Sequence, residues 1–340
     1  RQHTRHWMLG MMKVMKFGYS VVVAASDDIL ALCEDADLVV ISDSSAGSAE
    51  ADKVGIPHVS VTLQPTRIPQ KAPDNQSALQ KISGKLMGFI MDRMLTSPFN
   101  KHRKKLGLSP LGPEGIFSTL LTLVPVSPAV CTPDPLWPNY AHLTGYWFAA
   151  EPKDWSPPSD LSGFIEAGES PAVISLGAMS TGHSNDAREA AQIAIQAIQR
   201  AGVRAVFQGW NDVLDDASLP ANIFHAGPVP HGWLLSRASC ITHHGGFGTT
   251  AAGLRAGIPS IVIPHIIDQF LWAQEVEKLG AGPQPIPRKV LTDELWAAAL
   301  TEATQNVRMK TTVRKIGEQI RSENGIENAV QLIEESYNQG

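Results

Sequence analysis

Short apolar runs alternate with amphipathic segments through the second half of the chain. The runs lack the period-two alternation of half-exposed strands, which indicates strands buried on both faces. They predict strands at residues 171–176, 203–207, 222–225, 238–242 and 260–263. Helices are predicted at 159–166, 186–200, 230–235, 246–255, 268–279, 292–304, 307–322 and 326–337. Strands that alternate with helices at this spacing predict an α/β fold with a parallel sheet covered on both sides.

The first half carries a weaker version of the same pattern. Strands are predicted at 37–42, 57–63 and 121–126, and helices at 27–33, 46–54 and 77–95. The chain opens with Arg1–Met8, which reads as a helix, and no strand with a glycine-bearing turn precedes residue 18. Because a doubly wound domain normally opens with such a unit, this half is expected to be an incomplete α/β domain.

A proline-rich and charged stretch at 148–158 separates the halves. Such a composition marks a linker. The predicted organisation is therefore a first Rossmann-like domain at residues 1–147, a linker at 148–158, and a second domain at 159–340 that includes the C-terminal helices.

Composition narrows the class of protein. The chain has 340 residues, a formal net charge of -5 and 3 cysteines. This charge does not indicate a nucleic-acid partner, and the separated cysteines suit a reducing compartment without a cysteine-rich metal site. No apolar run reaches transmembrane length and no signal peptide is visible. We therefore expect a cytoplasmic protein, with monomer and homodimer both left open.

The densest chemical signal is a glycine-rich turn, Thr242–Thr250, between a predicted strand and a predicted helix. Glycines let a ligand approach the backbone closely because no Cβ intervenes. The helix N-terminus directs N–H groups and a positive dipole end at that ligand. His243 adds a side-chain donor. The turn therefore predicts a diphosphate site, although an isolated glycine turn can also be an ordinary corner of the fold.

Three further polar loops follow predicted strands, at 177–182, 227–234 and 264–269. Open parallel sheets bind ligands at the carboxyl ends of their strands. We therefore expect these loops to line one sheet edge together with the glycine turn.

The ordered motifs resemble a known family. His243–Pro259, Pro264 to Gln269, Val229–Leu234 and Gly145–Phe148 together resemble the donor half of GT-B glycosyltransferases, nearest to the sterol glucosyltransferase-like and antibiotic subgroups. The resemblance is dense over residues 140–300 and thinner over 35–65. It implies two Rossmann-like domains that face a cleft, of which the first is here incomplete.

The resemblance also implies roles for named residues. The donor diphosphate would be held by His243, Gly245, Gly246, Gly248 and Thr249. Ser180 or, as the alternative, Thr181 would replace a hydroxyl that relatives carry at the position of Ala178. The uracil would be bordered by Val229 and His231, with Trp210 as a further candidate, and the sugar by Asp268 and Gln269. No cofactor or metal is implied, and the UDP-sugar is a co-substrate.

Several of these residues have a structural role as the alternative to ligand binding. Trp210 and His231 have packing or capping roles as alternatives, and Asp268 is a favoured helix N-cap residue. His244 is expected to point away from His243 into packing, because consecutive strand residues face opposite sides. The basic run at 100–105 reads as a solvated face or as a peripheral membrane contact.

The leading hypothesis is an inverting, metal-independent transfer of a hexose, expected to be glucose, from a UDP-sugar to a hydroxyl of an apolar acceptor such as a sterol or polyketide. The catalytic base is not identified, because the family's opening unit has no counterpart here. The competing hypothesis is a non-catalytic nucleotide-sugar-binding homologue or helper protein. A dinucleotide enzyme is disfavoured, since no acidic residue follows at ribose spacing.

Overall fold

The computed structural model describes residues 20–42, 46–68, 96–112, 115–177, 185–211, 213–214 and 218–339. The predicted N-terminal helix, the helix at 77–95, and Ala178 and Ser180 lie outside these residues. The described residues divide into two compact units: those up to Trp147 together with those from Asn324 onward form the first, and those from Phe148 to Glu323 form the second.

The first unit is built on a four-stranded parallel sheet, sheet A, in the order β1-β2-β3-β4. Its strands are β1 (Val39–Ile41), β2 (His58–Val61), β3 (Thr122–Val124) and β4 (Ala141–Leu143). Its helices are α1 (Ser26–Glu34), α2 (Ser48–Val54) and the helical residues 96–105, here α3. The predicted α/β character is confirmed, while β4 was missed because its short Ala-His-Leu stretch has no apolar run.

The second unit is built on a five-stranded parallel sheet, sheet B, in the order β7-β6-β5-β8-β9. The strands are β5 (Ala172–Ser175), β6 (Ala205–Gln208), β7 (Ile223–Ala226), β8 (Cys240–His243) and β9 (Ser260–Val262). The helices are α4 (Ser159–Glu166), α5 (Asn185–Ala201), α6 (His231–Leu235), α7 (Phe247–Ala256), α8 (Ile267–Lys278), α9 (Asp293–Gln305) and α10 (Val307–Arg321). All twelve elements correspond to predicted ones.

Two apolar clusters cover the two faces of sheet B. One contains Phe207, Trp296 and the buried alanines of α5, and the other contains Leu161, Leu234 and Leu235. β5 is buried at every position. This explains why the strands of sheet B read as continuous apolar runs.

The last helix, α11 (Gly325–Gln339), corrects the predicted domain ranges. It belongs to the first unit rather than to the second. Its Ala329, Leu332 and Ile333 pack against the side chains of β2 and β3, and the Asn328 side-chain amide donates to the Thr144 carbonyl at 2.9 Å. The apolar stripe of this helix is therefore buried on sheet A, a tertiary choice that helical periodicity does not encode.

The predicted linker at 148–158 also differs, since it lies within the second unit. The Arg255 guanidinium lies 4.3 Å from the centre of the Phe148 ring. The Trp155 ring meets Trp233 edge-on at 5.4 Å. Aromatic contacts of this kind stabilise by about 0.5–1.5 kcal/mol each beyond area burial, so the stretch is a packed segment of its unit.

Candidate functional site

The carboxyl ends of β5, β8 and β9 are aligned in sheet B. Ser175 pairs with His243, and His243 pairs with Val262. On the other side of β5, the last residue of β6, Gln208, pairs with Ala226 of β7. The loops after these strands therefore leave the sheet at one edge, as the sequence predicts. The first of them continues into residues 178–184, outside the described part, so Ser180 keeps its predicted role without a structural test.

Helix α7 begins at this edge without a side-chain cap. Its N-cap is Gly246, which makes no side-chain capping hydrogen bond, and its first turn has no acidic residue. The first N–H groups of an α-helix have no partner within the helix. The uncapped start of α7 therefore offers donors and a positive dipole end that favour an anion.

His243 lies directly before this helix start and is fully buried. The Gly245 backbone N–H donates to its Nδ1 at 3.1 Å. Burial, with smaller contributions from His244 and His231, lowers the pKa of His243 to about 3. The ring is therefore neutral at physiological pH. Because Nδ1 accepts a hydrogen bond, the proton sits on Nε2, which has no hydrogen-bond partner in the described structure.

Gly245 is required by the geometry of this turn. Its φ is 89°, in the left-handed region, and a Cβ there would lie 2.7 Å from the Gln269 carbonyl oxygen and 2.9 Å from Val262 Cγ1. No side chain fits between these atoms. The turn after β8 and the start of α8 are thus in backbone contact, which fixes the third and fourth loops relative to each other.

The His244 side chain packs against two loops at the sheet edge. It is half-buried at the sheet edge, where its ring lies against Gly246 and Gly177. A Cβ at Gly177 would be 2.7 Å from His244 Cε1. Burial and then His265 lower the pKa of His244, whereas the Asp268 carboxylate acts in the opposite direction. A neutral imidazole therefore stands between the glycine turns of two loops.

Asp268 and Gln269 divide the two roles that the sequence left open. The Gln269 side chain is 4% exposed, and its Oε1 accepts from the backbone N–H groups of His265 at 2.8 Å and Ile266 at 3.2 Å. Gln269 thus caps the start of α8, a role that the sequence analysis gave to Asp268 as its alternative. Asp268 is half-buried and is the second residue of α8, whose N-cap is Ile266.

The three predicted base-binding residues differ in burial. Trp210 is fully buried in the core and meets the Phe207 ring edge-on at 5.5 Å, so the structure favours its packing alternative. Val229 is buried, and His231 is half-buried at the first position of α6. Burial lowers the pKa of His231, which favours a neutral ring there too.

Gln208 is a site residue that the sequence analysis missed. Its Nε2 donates to the Val229 carbonyl at 2.5 Å, and its Oε1 is buried without a hydrogen-bond partner in the described residues. Gly209 and Trp210 follow with positive φ values of 85° and 72°, which is uncommon for a bulky residue. The available signal was a polar residue closing an apolar strand before a glycine, a pattern that His243 and Gly245 also show after β8.

Two structural features are absent from the described residues. None of their helices is long and apolar enough to cross a bilayer. They contain no group of three or more His, Cys, Asp or Glu side chains placed to hold a metal ion.

The chain is similar to known proteins in sequence. Residues 206–335 match the family model for the C-terminal domain of erythromycin biosynthesis protein CIII-like proteins. A sterol 3-beta-glucosyltransferase of Aspergillus terreus is 33% identical over 351 aligned positions, which cover 93% of this chain and 25% of that protein. The chain spans about a quarter of the length of the sterol 3-beta-glucosyltransferases it matches.

Solved structures show the same fold at low sequence identity. The glycosyltransferase of kitacinnamycin superposes with a TM-score of 0.72 at 18% identity and covers 96% of this chain and 83% of its own. The glycosyltransferase VinC in complex with DTDP gives a TM-score of 0.67 at 20% identity, with 96% and 80% covered. Together the matches confirm the GT-B fold and the resemblance on which the site residues were assigned.

Proposed function

We propose, on the premise that this chain is a homologue of the sterol glucosyltransferase-like and antibiotic GT-B glycosyltransferases, that it takes part in hexosyl transfer from a UDP-sugar to a hydroxyl of an apolar acceptor. The observation that carries the proposal is the pairing of two donors at one sheet edge. The uncapped start of α7 and the unpartnered Nε2–H of His243 lie next to each other in the chain. Both suit the diphosphate of a nucleotide-sugar.

The electrostatics favour stabilisation of the leaving group. As the glycosidic bond to UDP breaks, negative charge develops on the diphosphate, and oriented donors that need no reorganisation stabilise it. The neutral His243 supplies one N–H, and the turn from Gly246 to Thr249 supplies backbone N–H groups. Because the His243 ring is fully covered in this structure, a phosphate reaches Nε2 only when the neighbouring residues move.

The sugar would be held from the start of α8. The Gln269 side chain makes the capping hydrogen bonds of α8. The Asp268 carboxylate is therefore the better candidate to accept a hydrogen bond from a sugar hydroxyl. The Gln269 oxygen is already engaged by the backbone, so only its amide nitrogen remains for a ligand. The geometry therefore supports Asp268 more strongly than Gln269.

The rest of the reaction is proposed from the relatives. In an inverting transfer the acceptor oxygen attacks the anomeric carbon, its proton passes to a base, and UDP leaves from the opposite face. Glucose and a sterol acceptor rest on the name of the Aspergillus relative. The catalytic base stays unassigned, and metal independence and a cytoplasmic location stay predictions.

Calorimetric titration with UDP tests the proposal. We expect binding that His243→Ala weakens about tenfold or more, consistent with the loss of a hydrogen bond to a charged group. His142→Ala, on β4 of the other sheet, is the matched control and is expected to leave UDP affinity unchanged. Absence of UDP binding to the folded wild-type protein would refute the proposal.

Turnover separates the enzyme from its alternative. UDP-glucose is incubated with the protein, with and without a sterol, in the presence and absence of EDTA, and released UDP and glycosylated sterol are measured. Sterol glucoside formed in the presence of EDTA supports metal-independent transfer. UDP binding without release from any donor supports the competing hypothesis, a non-catalytic nucleotide-sugar-binding homologue.

A further inference from the structure

A cavity of about 390 Å³ lies in the first unit, at the edge of sheet A where the strands begin. His58, the first residue of β2, and Ser118, shortly before β3, both line it. Open parallel sheets bind their substrates at the opposite, carboxyl edge. The donor-binding function proposed above therefore does not use this cavity.

Three ionisable side chains converge at one end of the cavity. Arg103 Nη1 donates to Asp52 Oδ2 at 2.5 Å, and His58 Nδ1 lies 3.7 Å from Asp52 Oδ1. Arg103 Nε also donates to the Ser109 carbonyl at 2.7 Å, so the guanidinium is held from two sides. The Asp52 side chain remains 35% exposed and is accessible to a ligand.

This polar end is electrically balanced. Arg103 and Asp52 neutralise each other. Burial lowers the pKa of His58, while the Asp52 charge raises it and the Arg103 charge, with a smaller effect, lowers it. A ligand carboxylate or phosphate would compete with Asp52 for Arg103, and a ligand cation would compete with Arg103 for Asp52. The Arg103 side chain is only 11% exposed, so separating it from Asp52 would leave a largely buried charge without its partner, which is costly. The cavity therefore disfavours charged ligands.

The other walls are mostly apolar. They include half-buried Leu111, Ile116, Phe117 and Leu120. A second cavity of about 840 Å³ shares Asp52, Arg103 and Leu120 with the first and extends to Ser336 and Tyr337 of α11. Both volumes fall in the range of small-molecule sites, which combine apolar walls with a few convergent polar groups.

We propose that this cavity binds an uncharged molecule with an apolar body and a hydroxyl group. The hydroxyl donates to the exposed Asp52 carboxylate, and its oxygen accepts from the Arg103 guanidinium. The body packs on Leu111, Phe117 and Leu120. A hydroxyl is suited to this end because it satisfies both members of the ion pair without separating them.

The test uses three probes that share a 4-tert-butylcyclohexyl group, with the isotope-labelled full chain. The probes are trans-4-tert-butylcyclohexanol, its methyl ether, which cannot donate, and the corresponding cyclohexanecarboxylate. Affinity is measured from shifts of the protein's amide signals. We expect the alcohol to shift signals around Asp52 and Ser118. The ether and the carboxylate are expected to bind at least about tenfold more weakly than the alcohol.

Variants link the affinity to the cavity. Asp52→Asn is expected to weaken alcohol binding about tenfold, with Asp28→Asn on the exposed face of α1 as the matched control. Because Asp52→Asn disturbs an ion pair, Leu120→Trp provides a second test by filling the cavity. Alcohol binding that is unchanged in both folded variants, or equal affinity for alcohol and ether, would overturn the proposal. Neither substitution is expected to change UDP affinity, which keeps this test separate from the donor site.

Discussion

Substituting Gly245 by alanine tests how the candidate site is assembled. The left-handed φ of 89° at this position costs a non-glycine residue about 1–2 kcal/mol. The added Cβ would also lie 2.7 Å from the Gln269 carbonyl oxygen and 2.9 Å from Val262 Cγ1. Overpacking of this kind costs about 1–3 kcal/mol. The two terms together predict a loss of about 2–5 kcal/mol, a large fraction of the 5–15 kcal/mol by which domains are usually stable.

The assay is urea unfolding followed by tryptophan fluorescence and circular dichroism. Gly245→Ala should lower the midpoint and, because it moves the turn after β8 away from the start of α8, should also weaken UDP binding. Gly248→Ala is a matched control in the same segment. A Cβ there meets no atom within 4 Å, so alanine should raise stability by about 0.5–1 kcal/mol. If Gly245→Ala is as stable as the wild type, the backbone contact inferred between the two loops is wrong.

Three further predictions follow from buried side chains. His243 has a pKa of about 3 in the folded protein and an ordinary value when unfolded. The free energy of unfolding should therefore be at its full value above about pH 6.5 and fall by about 1.4 kcal/mol per pH unit as the pH drops toward 3. In urea titrations at several pH values, His243→Asn should show a dependence of this free energy on pH that is smaller by about one proton. Trp210→Phe should leave UDP affinity within about twofold while lowering the unfolding midpoint. His102→Ala should lower the stability of the protein by about 3–5 kcal/mol, measured by thermal unfolding. The reason is that Glu50 is 1% exposed and its carboxylate lies 2.6 Å from His102 Nε2.

Each of these outcomes has a contradicting result. An unchanged pH slope in His243→Asn would place the proton elsewhere. A loss of UDP affinity in Trp210→Phe at full stability would restore the base-stacking role. An unaltered melting temperature in His102→Ala would show that Glu50 is solvated or paired in another way.

The second unit was predictable because its local signals agree with its tertiary structure. The strands of sheet B are mainly apolar in sequence, and the order of loops at the sheet edge follows from parallel topology. The first unit offered weaker signals, and β4 with its Ala-His-Leu sequence was missed.

The roles of single side chains depended on tertiary contacts that sequence does not carry. Gln269 caps α8 through His265 and Ile266, although aspartate is the more usual capping residue. His244 lies between Gly177 and Gly246 because the loops after β5 and β8 meet at the sheet edge, which alternation along one strand does not describe. Gln208 gained a role only when the Val229 carbonyl was found beside it.

The position of α11 affects how the protein is made on the ribosome. The chain leaves the first unit at Trp147 and returns at Asn324, so the β2 and β3 side chains that contact Ala329, Leu332 and Ile333 are synthesised long before their cover. At about 5–20 residues per second, synthesis of the segment between Trp147 and Asn324 takes roughly 9–35 s. Throughout this interval the apolar surface awaiting α11 is open to chaperones, whereas the second unit is already fully synthesised when α11 emerges. Nonsense mutations shortly after residue 323 should therefore damage the first unit, although they leave all four strands of sheet A in the chain.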